Sequence, residues 1–275
     1  MLAFGASTLV FGACASWRQP GEVRALVGHA RQFAALNVTT AAAWMAYFFA
    51  LKHLEPAIVT TLYTGVGSIA VLALSGLGVS MAMRVKAGWL ERAGYVGVIG
   101  SLLATAAVAL IGRSGLAGQP LGISIAAVLA AITGGVIIAV SHMIARDLGG
   151  RGIGSNALLG LRFPLALGVA IVAEIALSQS EMRPEPAALP ALAIAAFCLI
   201  VIPSYFLQLG IARTSPLTVN VMRALGPIFV FAVQQFDGRL RFSGATLSCI
   251  VAFMLFATLA SVLRGWAEAR APRPA

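Results

Sequence analysis

Residues 121–145 read LGISIAAVLAAITGGVIIAVSHMIA, an apolar run free of Lys, Arg, Asp and Glu that ends at Arg146. A stretch of about 20 such residues is enough to cross a hydrocarbon core of roughly 30 Å. Lipid supplies no partners for backbone N–H and C=O groups, so a run of this kind is expected to be a membrane helix. Working outward from it, apolar runs bounded by charge, Gly or Pro recur at 1–16, 33–51, 56–74, 93–111, 156–178, 188–211, 216–236 and 243–263. With 121–145 these make nine expected spans, an all-α polytopic bundle. The alternation over about ten residues that marks a membrane β-barrel is absent.

Composition agrees. Of 275 residues 60% are hydrophobic and 10% charged, against roughly 25% charged in soluble domains. Mean hydropathy is +0.93. Cys14, Cys198 and Cys249 all fall in apolar runs, which suits small hydrophobic side chains rather than a disulfide framework or a metal site. The net charge of +10 does not imply nucleic acid, because the basic residues punctuate the apolar runs instead of clustering on one solvated surface.

That punctuation orients the chain. Arg18, Arg24, Arg31, Arg84, Lys86, Arg92, Arg146, Arg151, Arg213, Arg264, Arg270 and Arg273 fall on one side, and Lys52, Arg113, Arg183, Arg239 and Arg241 on the other. Twelve against five makes the first side cytoplasmic by the positive-inside rule, and the C-terminus with it. Trp17, Trp89 and Trp266 sit at the same span ends, where indole rings favour the headgroup region. Ala13-Cys14-Ala15 resembles a signal-peptidase site, but residues 1–16 lack a positively charged leading region.

Sliding the chain against itself by 159 residues brings Leu2-Ala3-Phe4 opposite Leu161-Arg162-Phe163, and Gly67, Ile69 and Val71 opposite Gly226, Ile228 and Val230. The connectors ending in Pro56 and Pro216 follow Tyr47-Phe48 and Tyr205-Phe206 in the same way. Proline in the first helical turn forfeits no hydrogen bond, so both are sensible helix starts. Five crossings separate the two copies, which inverts the second; such inverted repeats underlie alternating access in many transporters.

Tyr47-Phe48-Phe49-Ala50-Leu51-Lys52, Leu161-Arg162-Phe163 and Ala224-Leu225-Gly226-Pro227 resemble motifs of the EamA-type members of the drug/metabolite transporter superfamily. The resemblance implies two inverted five-helix repeats, here 1–113 and 119–265, with a cytoplasmic tail at 266–275. It implies an integral protein of a bacterial inner membrane that moves small organic metabolites, with membrane lipid and a small-molecule substrate as its partners and no cofactor. The first repeat then has four spans where the second has five, and a helix upstream of Met1 is the expected counterpart of 121–145. Ser68 also stands where the second repeat has Pro227.

Charge inside a span costs about 2.5–3.5 kcal/mol for arginine at the helix centre, so intramembrane ionisable groups are functional candidates. Arg162 and Arg223 lie about two turns inside their spans. Arg223 shares a helix face with Asn220 and the kink expected at Pro227, and reads as attracting substrate. Arg162, beside Phe163 and Pro164, reads as an anchor whose long stem snorkels to the headgroups. Thr60, Thr61, Thr64 and Ser68 form one hydroxyl-bearing face, and Ser204, Tyr205 and Gln208 another. The expected substrate-binding set is Arg223, Asn220, Thr61, Thr64, Tyr205 and Gln208. The competing reading for the hydroxyls is capping of their own helix carbonyls. Glu174 and His142 are expected near helix ends. Gly94, Gly97 and Gly100, and the row Gly244, Ser248 and Ala252, suit close helix packing, either within the chain or in a homodimer.

An intramembrane enzyme needs a nucleophile with its base, or a metal-binding cluster of carboxylates or histidines. His29, His53 and His142 with one intramembrane acid supply neither. A scaffold protein has no need of polar stripes on several helices. A secondary transporter, not an enzyme, is the expectation.

Overall fold

A computed structural model of the protein describes residues 2–76, 88–116, 119–176, 186–213 and 222–270. Every regular element among the described residues is helical. In chain order they are α1 Leu2–Arg18, α2 Pro20–Gly28, α3 Ala30–His53, α4 Pro56–Gly76, α5 Trp89–Leu110, α6 Leu121–Gly150, α7 Ser155–Leu161, α8 Pro164–Ala176, α9 Leu189–Ala196, α10 Ile202–Arg213, α11 Gly226–Gln234 and α12 Gly244–Arg270. Pro20, Pro56 and Pro164 open their helices, where a missing N–H costs nothing.

Six stretches are long and apolar enough to cross a membrane: α3, α4 over Pro56–Leu74, α5, α6, Ser155–Ala176 and α12 over Gly244–Trp266. Large apolar side chains such as Leu103, Val172 and Leu255 lie exposed along them, which suits lipid rather than water. The chain is thus a helical protein of integral-membrane character. The other three expected spans take different forms. Residues 2–18 make the 17-residue α1. The 188–211 run is helical but divided, with a π-helical turn Phe197–Val201 between α9 and α10. Pro203 explains that turn: it has no N–H for the Leu199 carbonyl, so the preceding turn widens and Ile202 N–H bonds Phe197 O instead. The 216–236 run falls partly outside the described residues, and its described portion is the shorter apolar helix Met222–Gln234.

The chain divides into two compact units that interleave in sequence, one of residues 1–44 and 140–214, the other of 45–139 and 215–275. Each therefore takes segments from both expected repeats, and α3 and α6 contribute to both units.

In the first unit α1 packs on α7 at backbone distance. A Cβ added to Gly160 would stand 2.3 Å from the Gly12 nitrogen, so only glycine fits there. Ala15, Leu26, Leu36, Leu148 and Leu158 fill the adjoining core. Glu22 ties α2 to the turn before α7, its carboxylate accepting from Gly154 N–H at 2.7 Å.

In the second unit α5 and α12 form the closest pair. Gly94 lies against Ala260, where an added Cβ would stand 2.9 Å from the Ala260 Cβ, and Gly97 lies under the Phe256 ring. At one end of the pair Arg264 meets Glu91 at 3.4 Å. The packing expected of Gly94 and Gly97 is present. Gly100 and Gly244 face open space, and Ser248 is exposed. The partner surface on α12 is therefore Phe256 and Ala260. A bulky ring over a glycine notch buries more area than two rows of small residues facing each other, and residue size alone does not distinguish those arrangements.

Candidate functional site

The stretch Ser155–Ala176 is not one helix. It breaks at Arg162 and Phe163, since Pro164 disfavours the helical conformation in the residue before it and starts α8 afresh. A break inside an apolar stretch strands backbone groups, and Asn37 of α3 serves both sides of it. Its Nδ2 donates to Leu161 O at 2.9 Å, and its Oδ1 accepts from Leu165 N–H at 3.4 Å.

Arg162 sits in this break and is 5% exposed. Its Nη2 donates to the Ser141 hydroxyl at 3.1 Å and to the Thr40 hydroxyl at 3.4 Å. Thr40 and Ser141 also bond each other at 2.8 Å. The guanidinium carbon lies 5.5 Å from the centre of the Phe163 ring, within cation–π range. Phe163 in turn stacks on Phe4. The expectation that Arg162 snorkels is thus corrected: the side chain is buried among hydroxyls and rings. Depth along one helix misleads here, because Thr40 and Ser141 are brought to it by other helices, 122 and 21 residues away in sequence.

The expected substrate-binding residues divide between the units. Arg223, Thr61 and Thr64 belong to the second, Tyr205 and Gln208 to the first, and Asn220 lies outside the described residues. Arg223 is half-buried, and its Nη2 would stand 4.0 Å from a Cβ added at Gly67. Thr60 and Thr61 donate to the carbonyls of Pro56 and Ala57, and Ser68 to that of Thr64. For these three hydroxyls the capping reading holds, although Thr60 also meets the Tyr47 hydroxyl at 3.3 Å. The Tyr205 ring stacks on Phe11 at 5.1 Å. Gln208 is 3% exposed and lines a cavity of about 440 Å³ with Arg146, Ser155 and Leu158.

One buried acid escaped sequence reading because it stands in a connector. Glu55 is 0% exposed and collects donors from three directions. Gly115 N–H lies at 2.7 Å, the Thr246 hydroxyl at 2.9 Å, and the Gln234 amide also donates to it. Gln234 reaches back through Oε1 to Ala57 N–H at 3.0 Å. The carboxylate thus clasps the start of α4, the 113–116 turn, the end of α11 and the start of α12. The signal was present in Glu55-Pro56, an acid at a helix N-terminus, where the dipole favours negative charge. Glu174, the expected intramembrane carboxylate, is exposed on α8. In the exposed turn that follows α11, Arg239 hydrogen-bonds Asp237 and holds its carboxyl down at about 2. Among the described residues no group of three His, Cys, Asp or Glu side chains comes together as a metal site would require.

Neither a family model nor a curated protein matches this chain. Among solved structures it is similar to the crystal structure of a protein with which it shares 20% sequence identity. The match covers 97% of this chain and 87% of that one, at a TM-score of 0.65. At that identity the likeness is one of fold.

Proposed function

We propose that this chain is a secondary transporter of small organic metabolites, built from two inverted repeats over nine spans as in the EamA-type proteins it resembles. One observation carries the reading most: an apolar stretch is broken at Arg162, and the break holds a buried guanidinium among hydroxyls. Thr40 lies ten residues from the start of α3 and Ser141 nine from the end of α6. At 1.5 Å per residue that is about 15 Å from each helix end, half of a core of roughly 30 Å. Broken helices at membrane depth occur where protein or water surrounds the freed backbone, and transporters place substrate sites there. A fixed charge and hydroxyls at that depth suit a small polar substrate that exchanges bulk hydration for these groups. The basic-residue bias supports a cytoplasmic C-terminus, and the resemblance a bacterial inner membrane.

Metabolite profiling of cells with and without the protein identifies candidate substrates, and uptake into proteoliposomes tests them. Arg162→Ala at normal membrane abundance is expected to abolish uptake. Arg162→Lys is expected to restore part of it, because an ammonium is a point charge without the guanidinium's planar fork. Wild-type uptake by Arg162→Ala would overturn the assignment.

A further inference from the structure

We propose that the cavity beneath the Gly149–Ser155 turn, within the first unit, binds the phosphate ester of a small hydroxylated molecule, either free or as a lipid headgroup. Its volume is about 440 Å³. That is within the range of small-molecule sites and too roomy for an inorganic ion alone.

The lining groups set the chemistry. Arg146 is exposed and, among the described residues, makes no ion pair. The acids around it are engaged: Asp147 by Arg151 at 2.9 Å and Gln32 at 3.1 Å, Glu22 by Gly154 N–H. Glu22 keeps its negative charge, but among the described residues no acid pairs with Arg146, whose guanidinium fork matches phosphate geometry. Gln208 lies deeper, and its amide makes no hydrogen bond among the described residues although the side chain is nine-tenths buried. Its amide atoms are not sealed off, so a guest in the cavity can reach them. Its donor and acceptor pair with Ser155 to suit neutral hydroxyls. Ala145, Ile153 and Leu158 complete an apolar wall.

The turn itself is glycine-rich, and Gly152 has a φ of +87° that other residues rarely adopt. Its backbone is not a phosphate cradle, however. Gly152 N–H bonds Gly149 O, Ile153 N–H bonds Leu148 O, and Gly154 N–H bonds Glu22. Recognition falls to the side chains, which makes it separable by mutation.

The test uses the full chain. In detergent, glycerol 3-phosphate is titrated against sodium chloride of equal ionic strength while thermal unfolding is followed. In nanodiscs of phosphatidylcholine with and without phosphatidylglycerol, bound lipid is read by native mass spectrometry. Saturable stabilisation by glycerol 3-phosphate identifies a soluble ligand class, and selective retention of phosphatidylglycerol a lipid one. Either should weaken roughly tenfold in Arg146→Gln and in Gln208→Leu, the loss expected for one charge-assisted or one buried hydrogen bond. Arg146 is exposed, so its variant tests binding without disturbing the core. If neither probe binds, or if both variants bind like the wild type, the proposal fails. The test reads binding alone, so its failure leaves the transport reading, which is tested by uptake and Arg162→Ala, untouched.

Discussion

Arg162 and Glu55 show how single residues acquire their roles from distant neighbours. When Arg162 is shortened to alanine, Thr40 and Ser141 keep their mutual bond of 2.8 Å, so stability should fall modestly, by about 1–3 kcal/mol for the lost charged hydrogen bonds. Uptake should fall far more, and comparing the unfolding temperature with the transport rate of one preparation separates the two. Glu55→Ala is the opposite case, because it orphans the buried Gly115 N–H and a Gln234 donor at once, while the Thr246 hydroxyl keeps Ser243 at 3.0 Å. With about 1–3 kcal/mol for each buried group left unsatisfied, this variant should be among the least stable in thermal unfolding. Glu55→Gln keeps the shape but turns half of the acceptor into a donor, and should fall between it and the wild type.

At the level of helices, the packing is decided by where glycine is required rather than where it is merely present. Gly160→Ala would drive a methyl group into the Gly12 backbone and should lower stability by about 1–3 kcal/mol, as overpacking does. Gly100→Ala meets nothing within 4 Å and should be neutral or slightly stabilising, since alanine is the better helix former. Similar unfolding temperatures for the two variants would contradict the α1–α7 contact. The π-helical turn Phe197–Val201 makes a comparable test. Pro203→Ala restores an N–H to bond the Leu199 carbonyl, which should regularise the helix between α9 and α10 and shift the ring of Tyr205 against Phe11. Altered protection from modification at Cys198, which is exposed within that turn, would register the change.

For the molecule as a whole, the distribution of basic residues predicts that a reporter fused after Ala275 is cytoplasmic, fluorescent in a fluorescent-protein fusion and inactive as alkaline phosphatase. Phosphatase activity there would invert the topology. The helical class, the membrane character and most candidate span positions were legible in composition and in the lengths of apolar runs, because in a bilayer an apolar run without strand alternation satisfies its backbone groups as a helix. The glycine face of α5 was legible too, since small residues recur there at helical spacing. What the sequence could not show was the company each residue keeps. Apolar periodicity says that a helix has neighbours but not which ones, so Arg162 read as a snorkelling anchor and Glu55, in a connector, drew no reading. Only tertiary structure joins Thr40 and Ser141 to the first, and Gly115, Gln234 and Thr246 to the second. A buried charge is tolerated by hydrogen-bond partners that lie tens to nearly two hundred residues away along the chain, and no local pattern in the sequence encodes that pairing.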